Sequence, residues 1–164
     1  MSEKIVKKQR WNIWIIIALL ILGVGLLSAC SRSYASNGER IYFTATSESG
    51  DSISYSGSIT MMHSIACANC HGADGKGGRV NMMMWGFETP DITWEHLTSA
   101  DHHEEGNGEE EHEEHPPYTE DTIKQAITKG VNPAGEPLDE EMPRWRMSQS
   151  DLDDLIDFIK TLDQ

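Results

Sequence analysis

Cys67, Cys70 and His71 stand in the run Cys-Ala-Asn-Cys-His, the segment with the most specific chemistry in this 164-residue chain. Two thiols at this spacing can each add to a vinyl group of one haem, and the adjacent imidazole can bind its iron. A redox dithiol would sit in a βαβ pattern, and a zinc site would need two more ligands at close spacing. The run therefore predicts one covalently attached haem c, with His71 as the proximal iron ligand.

Cys30 is the third cysteine, and it follows an apolar segment typical of targeting sequences. Residues 1–29 begin with basic side chains and continue apolar from 11 to 29, which predicts a signal peptide or membrane anchor. Residues 27–30, Leu-Ser-Ala-Cys, resemble the lipobox of bacterial lipoproteins, which implies cleavage before Cys30 and lipidation of that residue. The alternative is an uncleaved anchor, because the apolar stretch approaches the ~20 residues that span a bilayer. Both interpretations predict a membrane-anchored protein with its haem domain outside the cytoplasm.

Acidic residues dominate the rest of the chain. Residues 1–29 hold four of the 13 basic residues and one of the 27 acidic ones, so the remainder has 9 basic and 26 acidic groups and a net charge of −17. This charge argues against nucleic acid as a partner. It predicts redox protein partners with a basic docking face, to which binding weakens as salt rises.

Helical spacing of apolar residues predicts the elements that position the haem motif. The small polar residues 30–36 read as a tether to the membrane. Three helices are expected: one beginning near Asn37 or Gly38 with Asn37 as its cap, one over 119–129, and one beginning at Ser148 or Ser150. The last helix should pack on the first. Residues 47–58 read as a loop in which 53–55 form a brief extended segment.

Together the order of these features resembles class I cytochromes c over residues 37–164. The shared features are the haem motif, the glycine-rich sequel at 72–78, the Met142-Pro143 pair and the amphipathic last helix. The resemblance implies an all-α fold around one covalent haem, interrupted here by an acidic, His-rich loop insertion near 96–117. It also implies a small electron carrier, not an enzyme, whose iron has histidine and methionine as axial ligands.

Met142 is the methionine at the position that the resemblance assigns to the distal iron ligand. A thioether favours ferrous iron and so raises the reduction potential. The alternatives are the methionine cluster at 82–84, which reads better as lining of the haem pocket, and a second histidine, either His63 or His96.

Three further residues have roles suggested by position. The resemblance implies that the carbonyl of Pro90 accepts a hydrogen bond from His71 and tunes its basicity; the alternative is an ordinary loop proline. Arg144 and Trp145 could bind a haem propionate through a charge and an indole N–H. Equally, they could be a surface arginine and a packed tryptophan.

The insertion combines acidic residues with His102, His103, His112 and His115. Its composition predicts a solvated, mobile loop that assists docking. Imidazoles and carboxylates together also bind zinc or copper, so a weak divalent-metal site at the four histidines is the alternative.

Three functions fit these features. The first is a membrane-tethered carrier that moves single electrons between respiratory partners. The second is a haem-based sensor or enzyme with a labile axial ligand, although no arrangement of acid, base and pocket supports it. The third is an accessory subunit that binds metal through the His/Glu-rich loop.

Overall fold

The computed structural model describes residues 33–51, 53–58, 65–81, 86–99 and 115–162. Within these ranges the chain forms five helices and four short strands. The helices are α1 (Asn37–Thr44), α2 (Cys67–His71), α3 (Trp94–Thr98), α4 (Glu120–Lys129) and α5 (Gln149–Ile159); the strands are β1 (Ser54–Ser56), β2 (Gly78–Asn81), β3 (Gly86–Thr89) and β4 (Arg144–Arg146). None of the helices in the described ranges has the length and apolar character needed to cross a bilayer.

Helices α1 and α5 pack on each other at Gly38. The backbone carbonyl of Asp154 lies so close to Gly38 that a Cβ there would overlap it. Tyr42 and Leu155 belong to the same buried cluster, with 0% and 1% of their surfaces exposed. Phe158 packs on Tyr42, with ring centroids 5.2 Å apart. The prediction that the last helix packs on the first is confirmed.

The hydrophobic core joins α1, α4 and α5 to the segments that flank the haem motif and the Met142 loop. It consists of Ile41, Tyr42, Ile65, Ile123, Ile127, Trp145, Leu152, Leu155, Ile156 and Ile159. The residues from α4 and α5 recur at the helical spacing seen in the sequence, so burial of that stripe explains why these segments are helical.

Helix α1 is capped by Ser36, so the prediction of Asn37 as the cap is wrong. Ser36 Oγ accepts a hydrogen bond from the Glu39 N–H at 3.1 Å. Asn37 is the first helical residue, and its amide donates to Asp151 and Asp154 of α5 at 2.9 and 2.7 Å. Serine and asparagine are equally good caps. Asn37 does not cap the helix because its amide is hydrogen-bonded to the carboxylates of Asp151 and Asp154.

Asp151 is a buried carboxylate that ties three segments together, with 1% of its surface exposed. Its oxygens accept hydrogen bonds from Ser47 Oγ at 2.6 Å, Ser148 Oγ at 2.8 Å and the Asn37 amide. Burial alone would raise the pKa of Asp151, but these hydrogen bonds outweigh it and hold the pKa below its ordinary value. The group is therefore an ionised anchor between α1, the turn at Ser47 and α5.

Helix α4 ends at the predicted residue, Lys129, and begins one residue later than predicted, at Glu120. Thr119 is its cap, and Thr119 Oγ1 accepts from the Thr122 N–H at 3.3 Å. At the other end Gly130 has a φ of 68°, and its N–H donates to the carbonyls of Gln125 and Ala126. A left-handed residue after the last turn is the usual reason for glycine there.

Two antiparallel strand pairs connect the loops. Tyr55 of β1 lies opposite Trp145 of β4, with ring centroids 5.0 Å apart, and Gly78 of β2 lies opposite Thr89 of β3. The sequence predicts an extended segment at 53–55, and β1 confirms it one residue later. It predicts none of β2, β3, β4 and α3, because runs of three to five residues are too short for a period to be recognised.

Candidate haem-binding site

Cys67, Cys70 and His71 lie together on the single helical turn α2. Asn69, between the two cysteines, holds the start of this turn, because its side-chain oxygen accepts from the Ala66 N–H at 2.8 Å. A five-residue helix is not stable alone, so its neighbours must support it. Asn69 is a residue whose role the sequence analysis missed; its signal was a side chain able to cap the helix, three positions after the cap residue Ala66.

His71 is buried, with 6% of its surface exposed, and its ring is fixed by one hydrogen bond. Nδ1 lies 3.1 Å from the carbonyl oxygen of Pro90. A carbonyl can only accept, so Nδ1 carries the proton and Nε2 keeps its lone pair. Burial lowers the pKa of His71, against smaller opposing effects of the Pro90 carbonyl and Asp91. The imidazole is therefore neutral, the form that binds a metal ion.

Gly77 makes room for the backbone that His71 contacts. Its φ is +67°, and a Cβ at this position would overlap the carbonyl groups of Thr89 and Pro90. Its N–H donates to the His71 carbonyl at 3.0 Å. Within the glycine-rich sequel, Gly77 thus allows the close approach of two backbone segments.

Tyr42 and Thr89 hold the backbone of α2 from two sides. The buried hydroxyl of Tyr42 donates to the Gly72 carbonyl at 2.8 Å, and Thr89 Oγ1 donates to the Cys70 carbonyl at 2.9 Å. Burial, and then the nearby Cys67, raise the pKa of Tyr42 above its usual range, so its hydroxyl remains a donor. Neither residue could be assigned this role from the sequence, because both contacts depend on tertiary packing.

Cys67 and Cys70 are both partly buried. Burial raises the pKa of Cys67 to about 12 and also raises the pKa of Cys70 above its ordinary value. Cys67 packs against the hydrophobic core. Uncharged sulfur in this surrounding suits thioether links, and His71 beside it offers Nε2. The residues of α2 therefore fit a covalently bound haem.

Met142 lies in the loop between α4 and β4 and packs against the hydrophobic core. Its N–H donates to the Asp139 carbonyl at 3.1 Å. Earlier in the loop the Leu138 N–H donates to the Gly130 carbonyl at 2.8 Å, and Asn132 Oδ1 accepts from two backbone N–H groups. These hydrogen bonds along the loop thus fix the backbone position from which the Met142 side chain extends.

Arg144 directs its guanidinium at the backbone of the Met142 loop. It donates to the carbonyls of Asp139 at 2.9 Å, Leu138 at 2.7 Å and Gly130 at 3.5 Å, and also to the carbonyl of Met142. These are four of the five donors of an arginine. The contact of Arg144 with a haem propionate stays a prediction. The Nε–H group is the one donor of Arg144 that takes no part in these four hydrogen bonds.

Trp145 is buried in the core, with 4% of its surface exposed, and stacks obliquely on Tyr55. This position agrees with the packed tryptophan that the sequence left as the alternative to a propionate ligand. The bond from its indole to a propionate also stays a prediction.

Of the other residues that the sequence analysis proposed as ligands or as a lipidation site, the structure describes only His96 and His115. Cys30, His63, the cluster at 82–84, His102, His103 and His112 lie outside the described residues. His96 lies in α3, and His115 contacts Tyr118 edge-on, with ring centroids 5.2 Å apart. Among the residues that the structure describes, no group of three His, Cys, Asp or Glu side chains is placed to hold a metal ion. The metal site of the insertion therefore stays a prediction.

A helical fold that supports a Cys-Ala-Asn-Cys-His turn and a separate methionine loop defines a c-type cytochrome. The comparison with protein families matches the family "Cytochrome c" over residues 35–163. The chain therefore belongs to the cytochrome c family, has the cytochrome c fold and carries covalently bound haem c for electron transfer. No curated protein and no solved structure matches the chain in the corresponding comparisons.

Proposed function

We propose that the protein is a single-haem electron carrier. Cys67 and Cys70 form the two thioether links, His71 is the proximal ligand through Nε2, and Met142 is the distal ligand. The observation that carries this assignment is the hydrogen bond from His71 Nδ1 to the Pro90 carbonyl, 3.1 Å long. It leaves one imidazole nitrogen to the metal and fixes the plane of the ring.

When bound, haem supplies the one-electron redox chemistry, and the chain determines how that chemistry is used. The Pro90 carbonyl strengthens His71 as a donor by drawing on its Nδ1 proton. The Met142 thioether favours ferrous iron, which raises the potential. If His71 and Met142 both bind the iron, no coordination position would remain for a substrate, which favours electron transfer over catalysis.

Optical spectra of the purified haem protein test this assignment. We expect the wild-type protein to show a six-coordinate low-spin spectrum with a methionine–iron charge-transfer band and to ignore carbon monoxide when reduced. Met142→Ala should lose the band and bind the gas. Met147→Ala is the matched control, since Met147 also packs against the core. If the wild-type protein binds carbon monoxide readily, the sensor or enzyme function is favoured instead.

The location and partners follow from the sequence. Residues 1–29 target the chain to the membrane, Cys30 or the uncleaved segment anchors it, and residues 30–36 tether a haem domain that works outside the cytoplasm. The partners are respiratory redox proteins with a basic face. The intact mass of the protein extracted from membranes tests the anchor: loss of residues 1–29 together with added acyl mass supports lipidation of Cys30, and a chain that keeps residues 1–29 supports the uncleaved anchor.

A further inference from the structure

We propose that Arg144 is the positioning residue that keeps Met142 on the iron. The inference rests on the proposed function, because it takes Met142 as the distal ligand. It assigns Arg144 to the methionine loop and not to a haem propionate. The Arg144 side chain then holds the loop in one conformation. It donates hydrogen bonds to both ends of the loop, Gly130 and Met142, and to Leu138 and Asp139 between them.

The contacts of the guanidinium carry this inference. Its donors reach the carbonyls of Gly130, at the start of the loop, and of Leu138, Asp139 and Met142, close to the ligand. Hydrogen bonds from a charged donor are stronger than neutral ones. Opening the loop would separate the guanidinium from several acceptors at once, so the closed position of Met142 is favoured.

The guanidinium of Arg144 packs directly against Gly130, the glycine that ends α4. A Cβ on Gly130 would overlap the Nε and Cζ atoms of Arg144. Gly130 also ends α4 through hydrogen bonds to Gln125 and Ala126. The Gly130 carbonyl, which accepts hydrogen bonds from Leu138 and Arg144, is therefore fixed at the end of α4. Through this carbonyl the Arg144 guanidinium connects the methionine loop to α4.

The backbone of Arg144 is itself anchored. Arg144 pairs with Ser56 in the β1–β4 ladder, and the next residue, Trp145, is buried in the core. The guanidinium thus extends from a fixed strand to a fixed helix end, with the methionine loop between them. Arg146 offers an internal comparison, because it lies in the same strand, opposite Ser54, but is exposed.

The test uses the haem-loaded protein with Arg144→Gln and, as matched control, Arg146→Gln. An added ligand such as imidazole can bind ferric iron only by displacing Met142. Loss of the equivalent of one charge-assisted hydrogen bond should therefore tighten imidazole binding about tenfold in Arg144→Gln. The methionine–iron band should weaken in parallel. Arg146→Gln should match the wild type in both measurements.

Imidazole affinity and band intensity equal to wild type in Arg144→Gln would overturn the positioning role. A shifted potential with unchanged imidazole affinity would overturn it in favour of the propionate contact. If Arg144→Gln does not fold, Arg144→Lys keeps the charge but loses the planar fork; it should bind imidazole more tightly than wild type, and equal affinity would overturn the proposal. A wild-type protein without the band would instead refute the proposed function itself.

Discussion

At the scale of single residues, His71 shows how much of the site depends on backbone atoms. Its partner is the carbonyl of Pro90, and that carbonyl can approach only because Gly77 has no Cβ. The sequence points to His71 through the motif and to Pro90 through resemblance. It gives no reason to choose Gly77 among the four glycines at 72–78, because the overlap arises between segments that are distant in the chain.

Gly77→Ala should therefore disturb the proximal side of the site. A left-handed φ alone costs an alanine about 1–2 kcal/mol, and overlap with Pro90 adds to this cost. The weakened bond to His71 should reduce its basicity and raise the reduction potential. Denaturant unfolding and redox titration measure the two effects.

Gly50→Ala is the matched control, since Gly50 has a φ of +82° and a Cβ at this position would have nothing within 4 Å. It should show the backbone cost alone, with an unchanged potential. Equal effects of the two substitutions would mean that the contact of Gly77 with the Pro90 backbone is unimportant.

At the scale of elements, the packing of α1 on α5 combines apolar burial with one ionised group. Asp151 accepts hydrogen bonds from Asn37, Ser47 and Ser148, which brings the first helix, a turn and the last helix to one carboxylate. The apolar partners of these helices are predictable from spacing. The carboxylate is not, because Asp151, Asp153 and Asp154 all look like acidic residues of a first helical turn.

Asp151→Asn should lower the free energy of unfolding by about 2–3 kcal/mol at pH 7, since charge-assisted hydrogen bonds are lost in a buried position. The folded pKa of Asp151 is depressed. Its contribution is therefore complete above the unfolded pKa of about 3.9 and is lost as pH falls through the lower folded value. The difference between wild type and variant should shrink below about pH 4, in urea unfolding measured across pH.

Asp154→Asn is the control for Asp151→Asn, because Asp154 is exposed and accepts from the same Asn37 amide. Its substitution should have a much smaller effect on stability. A difference between wild type and Asp151→Asn that stays constant down to about pH 2, well below the unfolded pKa, would show that Asp151 is not the titrating group.

The structure also shows which elements a sequence can predict. Helices α4 and α5 are long enough for an apolar stripe and have caps at Thr119 and Ser148, so their boundaries follow from local signals. The strand β4 and the helix α3 are three and five residues long, and their conformation is imposed by tertiary partners such as β1. Arg144 illustrates the limit, because its contacts with the Met142 loop depend on that imposed strand.

At the scale of the whole molecule, the acidic charge bears on the proposed docking with basic redox partners. The part that follows residue 29 carries a net charge of −17. Opposite charge accelerates encounter by about tenfold or more at low salt and is screened over about 10 Å at 0.1 M ionic strength. Electron transfer to a basic partner protein should therefore slow about tenfold between low salt and roughly 0.5 M salt, as stopped-flow absorbance would record.

Reduction by a small uncharged quinol is the control for this salt dependence. It has no charge to steer, so its rate should stay flat over the same range. A partner reaction that is equally flat would remove the electrostatic basis for docking.

The contact between α1 and α5 also affects how the protein is made. Asn37 can form its hydrogen bonds only after Asp151 and Asp154 have been synthesised, and these residues lie 114 and 117 positions further along the chain. Synthesis proceeds from the N-terminus at roughly 5–20 residues per second. For several seconds after the cysteines of α2 have been synthesised, the nascent chain therefore has no closed helix pair beside them.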